Sequence, residues 1–412
     1  MTIWEQLFLP EYWQEFLNYK VEKQHLSVRE QQELEEYIAQ QRYLQVLDTI
    51  DQDASSLPLP FKKEVNKSGV SKKRVVYSFP NDFNILLKML TYLLFRYDHL
   101  FAHNCYAFRR HYGVKDAIRR IRHTKDIHKK YCLKVDISNY FNSIDVPLLL
   151  QKLEFLKQED NAVYTFLIHL LTADKAVYEE NNQQQIFMEK RGAMAGTPIS
   201  PFLANVYLME MDHVFAQENV LYFRYSDDIL LFADTEKQLD ELKTRLYEYI
   251  EAHKLTLNPS KVHLSKPGEP FEFLGFSFRD YKVDLSDITI QKMKDKIKRK
   301  AHALRRWQQK KKLTGEKAAK GFVNSMNHKF YDSGNGTEFS WSRWFFPCLT
   351  TDEGLKEIDA YMQQYVRYCV TGRHYKGNYR ITYEQMKDWG YRSLVNEYYK
   401  QFKTTNTKET KE

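Results

Sequence analysis

Residues 223–233 read FRYSDDILLFA. Asp227 and Asp228 stand side by side in an apolar, aromatic run of strand composition, with no Gly, Asn or Pro at the junction. An Asp-Asp pair is most often a turn. A turn without turn residues, flanked by strands, calls for another reason, because burying two like charges together costs roughly several kcal/mol unless cations neutralise them. About ninety residues earlier, Asp136 ends a strand-like run, KVD. A strand end and a hairpin tip can meet on one edge of a sheet, and carboxylates sharing divalent ions are the standard machinery of in-line phosphoryl transfer. Mg²⁺ takes hard oxygen ligands and keeps some of its waters, so two or three Asp suit it better than His or Cys.

The elements that must position these groups follow from pattern. Residues 1–56 read as amphipathic helices, with Ser27 a candidate N-cap. The stretch DASSLPLP, with Pro58 and Pro60, marks a boundary. KKRVVYSF (72–79) is a strand candidate entered through Lys73 and Arg74 after a loop holding Gly69. YCLKVDISNYF starts as a strand and ends in a turn, and 144–171 is helical. A Gly/Pro loop (192–201) precedes a helix over 202–216, and the Asp-Asp strands precede a helix over 236–253. A β-rich piece (262–278) ends in FEFLGFSF, and 287–403 is mostly helical. Hairpins where crossovers would be needed predict an α+β fold rather than a doubly wound parallel sheet.

Composition limits the partners. The 412-residue chain is 43% hydrophobic, 28% charged and 15% aromatic, the profile of a folded protein of two or three domains. Its net charge of +8 is uneven: Asp287–Lys320 carries 13 Lys and Arg against 3 Asp and Glu, beside a nearly neutral remainder. A basic block of this kind points to a polyanion. No run approaches the ~18 apolar residues of a membrane span. The acidic, aromatic start lacks a signal-peptide pattern, so a cytoplasmic location and no membrane partner are expected. Four scattered Cys without a CxxC pair argue against a zinc site or disulfides.

FRYSDDILLFA resembles the Tyr-x-Asp-Asp signature of reverse transcriptases, and KVDISNYFNSID resembles their first aspartate motif. RGAMAGTPISPFLANVYL is similar to the Gly/Pro loop and helix of the group II intron type. HNCYAFRRHYGVKDAI resembles a bacterial template-side motif, and FEFLGFSF the hairpin that supports the primer end. These five stretches come in family order. The resemblance implies a right-hand polymerase: fingers and an antiparallel-sheet palm over 57–280, a helical extension over 1–56, a basic helical thumb and C-terminal helices over 281–403, and a disordered tail over 404–412. It assigns Asp136, Asp227 and Asp228 to metal binding and catalysis, with the carbonyl of Ile137 a further ligand for two Mg²⁺ ions (Mn²⁺ a substitute). Phe141 matches the steric gate against a ribose 2′-hydroxyl. Lys73, Arg74 and Gly196 match nucleotide contacts, where Arg binds phosphate bidentately and Lys acts as a point charge. Lys261 matches a lysine near the leaving pyrophosphate, able to donate a proton. Arg109 matches a template-side contact, Tyr225 of the signature is a further candidate nucleic-acid contact, and Lys298, Arg299, Arg305 and Arg306 lie in the basic stretch that sits where a thumb would track nucleic-acid backbone.

One departure stands out. Where most members have Pro-Gln-Gly, this chain has Met194-Ala195-Gly196, so the glutamine that contacts template and incoming base is missing. With no endonuclease-type segment in view, the resemblance implies extension of a primer 3′ end with dNTPs on an RNA template. It is most like the defence-associated antiphage reverse transcriptases, some of which copy a partner noncoding RNA into DNA. A retron or group II intron enzyme, untemplated or protein-primed synthesis, and a catalytically idle RNA-binding protein are the other readings.

Overall fold

The computed structural model describes residues 1–24, 26–52, 57–66, 73–180, 183–331 and 340–409, so Gly69 lies outside the described residues. The strands among them are β1 (Phe61–Asn66), β2 (Lys73–Ser78), β3 (Tyr131–Asp136), β4 (Lys175–Glu180), β5 (Gln183–Met188), β6 (Leu221–Tyr225), β7 (Asp228–Ala233), β8 (His263–Ser265), β9 (Phe271–Phe273), β10 (Phe276–Arg279) and β11 (Lys282–Leu285). They form three sheets, ordered β2-β1-β4-β5, β6-β7-β3-β8 and β11-β10-β9. The chain divides into two compact units, Met1–Glu269 and Pro270–Glu412.

In the first unit the N-terminal helices start at capping boxes. Thr2 with Glu5 and Ser27 with Glu30 each satisfy two otherwise unpaired amides. Their apolar faces close on one another through Trp13, which stacks on Tyr43 at 4.6 Å and donates its indole N–H to the Leu7 carbonyl. Tyr37 and Arg42 then tie this layer to Asp82 on the helix Asn81–Leu93. Ile3, Trp13, Phe16, Tyr37 and Tyr43 belong to the same buried core as Leu133, Val135, Ile229 and Leu231 of the central sheet. The expected 1–56 extension therefore shares one core with the residues after it.

That sheet is antiparallel in every pairing. Strand alternation sends Leu133, Val135, Ile229 and Leu231 into the helix-covered core and leaves Lys134, Asp136 and Asp228 on the opposite face. The β4–β5 hairpin escaped the sequence reading, because β5, QQQIFM, is exposed along its whole length and has no alternation to detect.

In the second unit, β9 to β11 pair only with each other and lead into the helix Asp287–Lys310, capped by Ser286. The division into compact units falls at Glu269–Pro270, before the expected end of fingers and palm at 280: FEFLGFSF lies in the second unit, where Gly275 lies against Thr289 and Phe345. The helices Gly315–Phe330 and Glu353–Thr371 pack against Asp287–Lys310. The last helix, Leu394–Glu409, runs into the segment expected to be a disordered tail, and 410–412 lie outside the described residues.

Candidate active site

The β6–β7 hairpin pairs Tyr225 with Asp228, which leaves Ser226 and Asp227 as a two-residue turn. Ser226 has φ 61 and Asp227 is not in the positive region, the pattern of a type II′ turn, whose first position ordinarily takes glycine. A serine held there is strained and needs surroundings that over-determine it. Arg224 supplies them. Its buried guanidinium pairs with Asp212 (Nε to Oδ1, 2.8 Å; Nη2 to Oδ2, 2.5 Å) and reaches the Ser226 carbonyl through Nη1 at 3.3 Å. Tyr222 donates to the same Asp212 carboxylate, and Nη2 meets the Cys105 sulfur. The Arg before the Asp-Asp pair is thus a buried anchor for the tip. On the other side, the Asp227 carbonyl accepts from Ile137 N–H at 3.0 Å.

The β3–β7 register sets Asp136 directly opposite Asp228, with Asp227 next to it at the tip. Burial first, then the adjacent Asp227 and Asp136 charges, push the Asp228 carboxyl up to about 6, with Lys134 opposing. Burial and then Asp136 raise Asp227, with Lys261 and Arg74 opposing. The Asp136 carbonyl accepts from Asn258 N–H at 2.8 Å, and its Oδ2 accepts from the Lys261 ammonium at 2.5 Å. The donor set suits a hard divalent cation: oxygen ligands crowded so that two are driven toward neutrality, a repulsion that an ion relieves. Among the described residues no three acidic, His or Cys side chains enclose an ion as they stand, and Lys261 holds the oxygen that one would take.

A cavity of about 300 Å³ opens beside these carboxylates, lined by Lys73, Arg74, Asp136, Ile137, Phe141, Ala195, Asp227, Asn258 and Lys261, among others. It gathers Lys73, Arg74, Asp136, Ile137, Phe141, Asp227 and Lys261 of the residues singled out from the sequence. Asn139, at φ 48, turns the chain out of β3 into the one-turn helix Tyr140–Ser143, which brings Phe141 to the cavity wall. Phe141 is half-buried, its ring 6.1 Å from Phe108. The Gly/Pro loop lies on β2: Ala195 accepts from Tyr77 N–H at 2.7 Å, and a Cβ on Gly196 (φ +100) would come within 3.0 Å of the Tyr77 carbonyl. Asn142 clamps the two, accepting from Ala195 N–H and donating to the Val75 carbonyl. Asn142, Asn258 and the Arg224–Asp212 pair were missed in the sequence. A polar Asn six residues after Asp136, amid aromatics, was the available signal for the first.

Several expected contacts fall elsewhere. Lys73, at the cavity edge beside Arg74, turns its exposed ammonium to Glu64 across β1 and β2 at 2.7 Å. Arg109 is corrected from template contact to buried anchor. Nε and Nη2 bind the Asp98 carboxylate, Nη2 also binds the Asp98 carbonyl, and Nη1 binds the Ala102 and Cys105 carbonyls, which engages all five N–H groups. It and Gly196 line a separate cavity of about 460 Å³ with Lys20, Lys88 and Tyr92. Tyr225 is half-buried, its ring 6.3 Å from Phe108. Lys298, Arg299 and Arg306 are exposed on the second unit's basic helix. Arg305, on the same helix, is corrected to a cap: Nη1 donates to the Cys369 and Val370 carbonyls at the end of Glu353–Thr371. The four cysteines are buried, and among the described residues they form no disulfide and no helix is long and apolar enough to cross a membrane.

The chain is 28% identical over 148 residues to the retron Ec83 reverse transcriptase of Escherichia coli, covering 33% of this chain and 44% of that protein. It is 26% identical over 106 residues to the retron Ec86 reverse transcriptase of the same organism, covering 25% and 33%. The matched stretches thus span less than half the length of these relatives. Among solved structures it is similar to telomerase from Candida albicans in complex with a fragment of telomeric RNA (TM-score 0.44, 13% identity, 86% of this chain and 68% of that one). It is also similar to apo telomerase from Candida tropicalis truncated from its C-terminal domain (TM-score 0.41, 13%, 57% and 58%). Residues 62–278 match the family described as reverse transcriptase (RNA-dependent DNA polymerase), a stretch that holds Asp136, Asp227, Asp228 and the whole cavity lining between them, and the chain belongs to that family.

Proposed function

We propose that this protein is an RNA-directed DNA polymerase that extends a primer 3′ end with dNTPs. The observation that carries the reading is the register of Asp136 opposite Asp228, with Asp227 at the tip, on the rim of a cavity whose wall includes Phe141 and Arg74. Asp136, Asp227, Asp228 and the Ile137 carbonyl would hold two Mg²⁺ ions. When bound, such ions activate the attacking 3′-oxygen and stabilise the leaving phosphate. The chain's own residues do the rest. Arg74 presents its planar fork to the triphosphate. Phe141 sets its ring where a ribose 2′-hydroxyl would project, and the Ala195–Tyr77 bond fixes the floor under the base. Lys261 exchanges Asp136 for the pyrophosphate side and donates its proton there.

The template is proposed to be a partner noncoding RNA, and the biological role antiphage defence. Support comes from the likeness to retron reverse transcriptases and from Ala195, which lines the cavity at the position where the family resemblance implies a template-reading glutamine. Ala195 also keeps untemplated synthesis as a second reading. Asp227→Asn with Asp228→Asn abolishes Mg²⁺-dependent dNTP incorporation while RNA binding stays within a few-fold, and surviving incorporation would overturn the mechanism. Sequencing the nucleic acid that copurifies with the active protein separates the readings. A cDNA complementary to one bound RNA supports templated copying, and DNA with no such counterpart sinks it.

A further inference from the structure

The second unit carries an exposed loop that the polymerase reading does not use. After Glu353–Thr371 ends at Gly372 (φ 78), the chain runs GRHYKGNYR before Ile381. Arg373, Tyr375, Lys376, Tyr379 and Arg380 are exposed, Tyr379 at 70%. From 360 to 383 the chain has no Asp or Glu. Two exposed tyrosines interleaved with Arg373, Lys376 and Arg380, and with no acid nearby in the chain, form a patch of one chemical character.

The rings are held rather than dangling. The Arg373 guanidinium lies 4.6 Å from the Tyr375 centroid, and that of Arg367 lies 5.1 Å from Tyr379. A Cβ on Gly377 would come within 2.5 Å of the Tyr375 ring, so the ring seats directly on glycine. Asn378, 5% exposed, donates to the Arg373 carbonyl at 2.7 Å and closes the loop, and its buried Oδ1 has no hydrogen-bond partner among the described residues. His374 stacks on Tyr368 at 4.8 Å, and the Tyr368 hydroxyl meets His302 Nδ1 at 2.9 Å, which pins the loop to the basic helix Asp287–Lys310. That helix has no acidic residue from 296 to its end.

Positioned aromatic faces interleaved with cations are how proteins hold unpaired nucleic acid: the rings stack on bases of any sequence and the cations follow the phosphates. A duplex, whose bases are already stacked, offers the rings nothing. We propose that the loop Arg373–Arg380 is a second nucleic-acid site, specific for single-stranded RNA or DNA. There Tyr375 and Tyr379 stack on bases and Arg373, Lys376 and Arg380 meet the phosphates. The inference stands apart from the polymerase reading and survives if that reading fails.

The test measures fluorescence anisotropy of the full chain with labelled oligo-U and oligo-dT of about 12 nucleotides, within the usual site size of such platforms. Excess unlabelled blunt RNA duplex occupies the surfaces that bind duplex. Tyr375→Ala with Tyr379→Ala weakens single-strand binding at least about 20-fold, from roughly 5-fold or more per stacked base. Loss for oligo-U alone assigns the site to RNA, and loss for both assigns it to either strand. Arg373→Gln with Lys376→Gln lowers the slope of log affinity against log salt by about 1.4, from ~0.7 per phosphate. Unchanged melting curves exclude a folding defect, and the charge pair provides a second reading if the tyrosine pair melts early. Single-strand affinity within about twofold of the parent in both variants overturns the proposal. So does equal loss for labelled duplex, or flotation with anionic vesicles that only the parent shows.

Discussion

Replacing Asp228 by Asn should make the metal-free protein more stable at neutral pH while removing the proposed polymerase activity. The folded state holds this carboxyl at about 6 against an ordinary 3.8, because burial and the Asp227 and Asp136 charges disfavour its ionised form. The sign follows from linkage. Well below pH 3.8 the group is neutral in both states and contributes nothing. Between pH 4 and 6 the unfolded chain releases the proton and the folded chain keeps it, so stability falls as pH rises. Above pH 6 the full penalty is present, about 3 kcal/mol at ~1.36 kcal/mol per tenfold difference. An amide of the same shape carries no such penalty. In EDTA at pH 7.5, Asp228→Asn should therefore melt several degrees higher than the parent, at ~2–4 °C per kcal/mol for domains of this size. At pH 4 the difference should shrink to about 0.5 kcal/mol, and it should vanish only well below 3.8. Mg²⁺ should raise the melting temperature of the parent and leave the variant nearly unmoved, since bound ions remove the same repulsion. Calorimetry or far-UV melts across that pH range, with and without Mg²⁺, read all three. A variant that melts below the parent in EDTA at pH 7.5 would refute the account of these carboxylates as mutually repelling and uncompensated.

Two further outcomes separate chemistry from architecture. Phe141→Val removes the ring from the cavity wall, so discrimination between dNTP and rNTP should fall by about 10-fold or more, as expected when roughly 1–3 kcal/mol of steric selection is lost. Single-nucleotide incorporation kinetics measure it, and unchanged sugar selectivity would remove the gate role. Arg109→Met leaves the Asp98 carboxylate without its buried partner and should cost about 3–5 kcal/mol of stability, read as a lower melting temperature. A variant with parental melting and only a raised KM for template would return Arg109 to the template contact first expected of it.

The chemistry was legible in the residues because it depends on types and on short spacings. Asp227 and Asp228 interrupt an apolar run without turn residues, KVD ends a strand, and five motifs follow one another in order. Helix starts such as Ser27 were legible for the same reason, since a cap is a local device four residues long. Arg109 and Arg305 show where that reasoning stopped. An arginine in a basic or aromatic stretch has the same composition whether it meets phosphate or closes on carbonyls within its own fold. Only the approach of Asp98, and the end of Glu353–Thr371, decided for the second. β5 was invisible because an edge strand exposed on both faces has no pattern. What the sequence by itself determined is the family, and with it the three carboxylates proposed to serve one site. The tertiary structure alone decided that Asp136 faces Asp228 in register and that Arg224 and Asp212, twelve residues apart, anchor the tip from below. It likewise decided that Asn142 joins the Gly/Pro loop to β2 across more than fifty residues. Partners so far apart along the chain leave no periodic trace in it, because only packing brings them together.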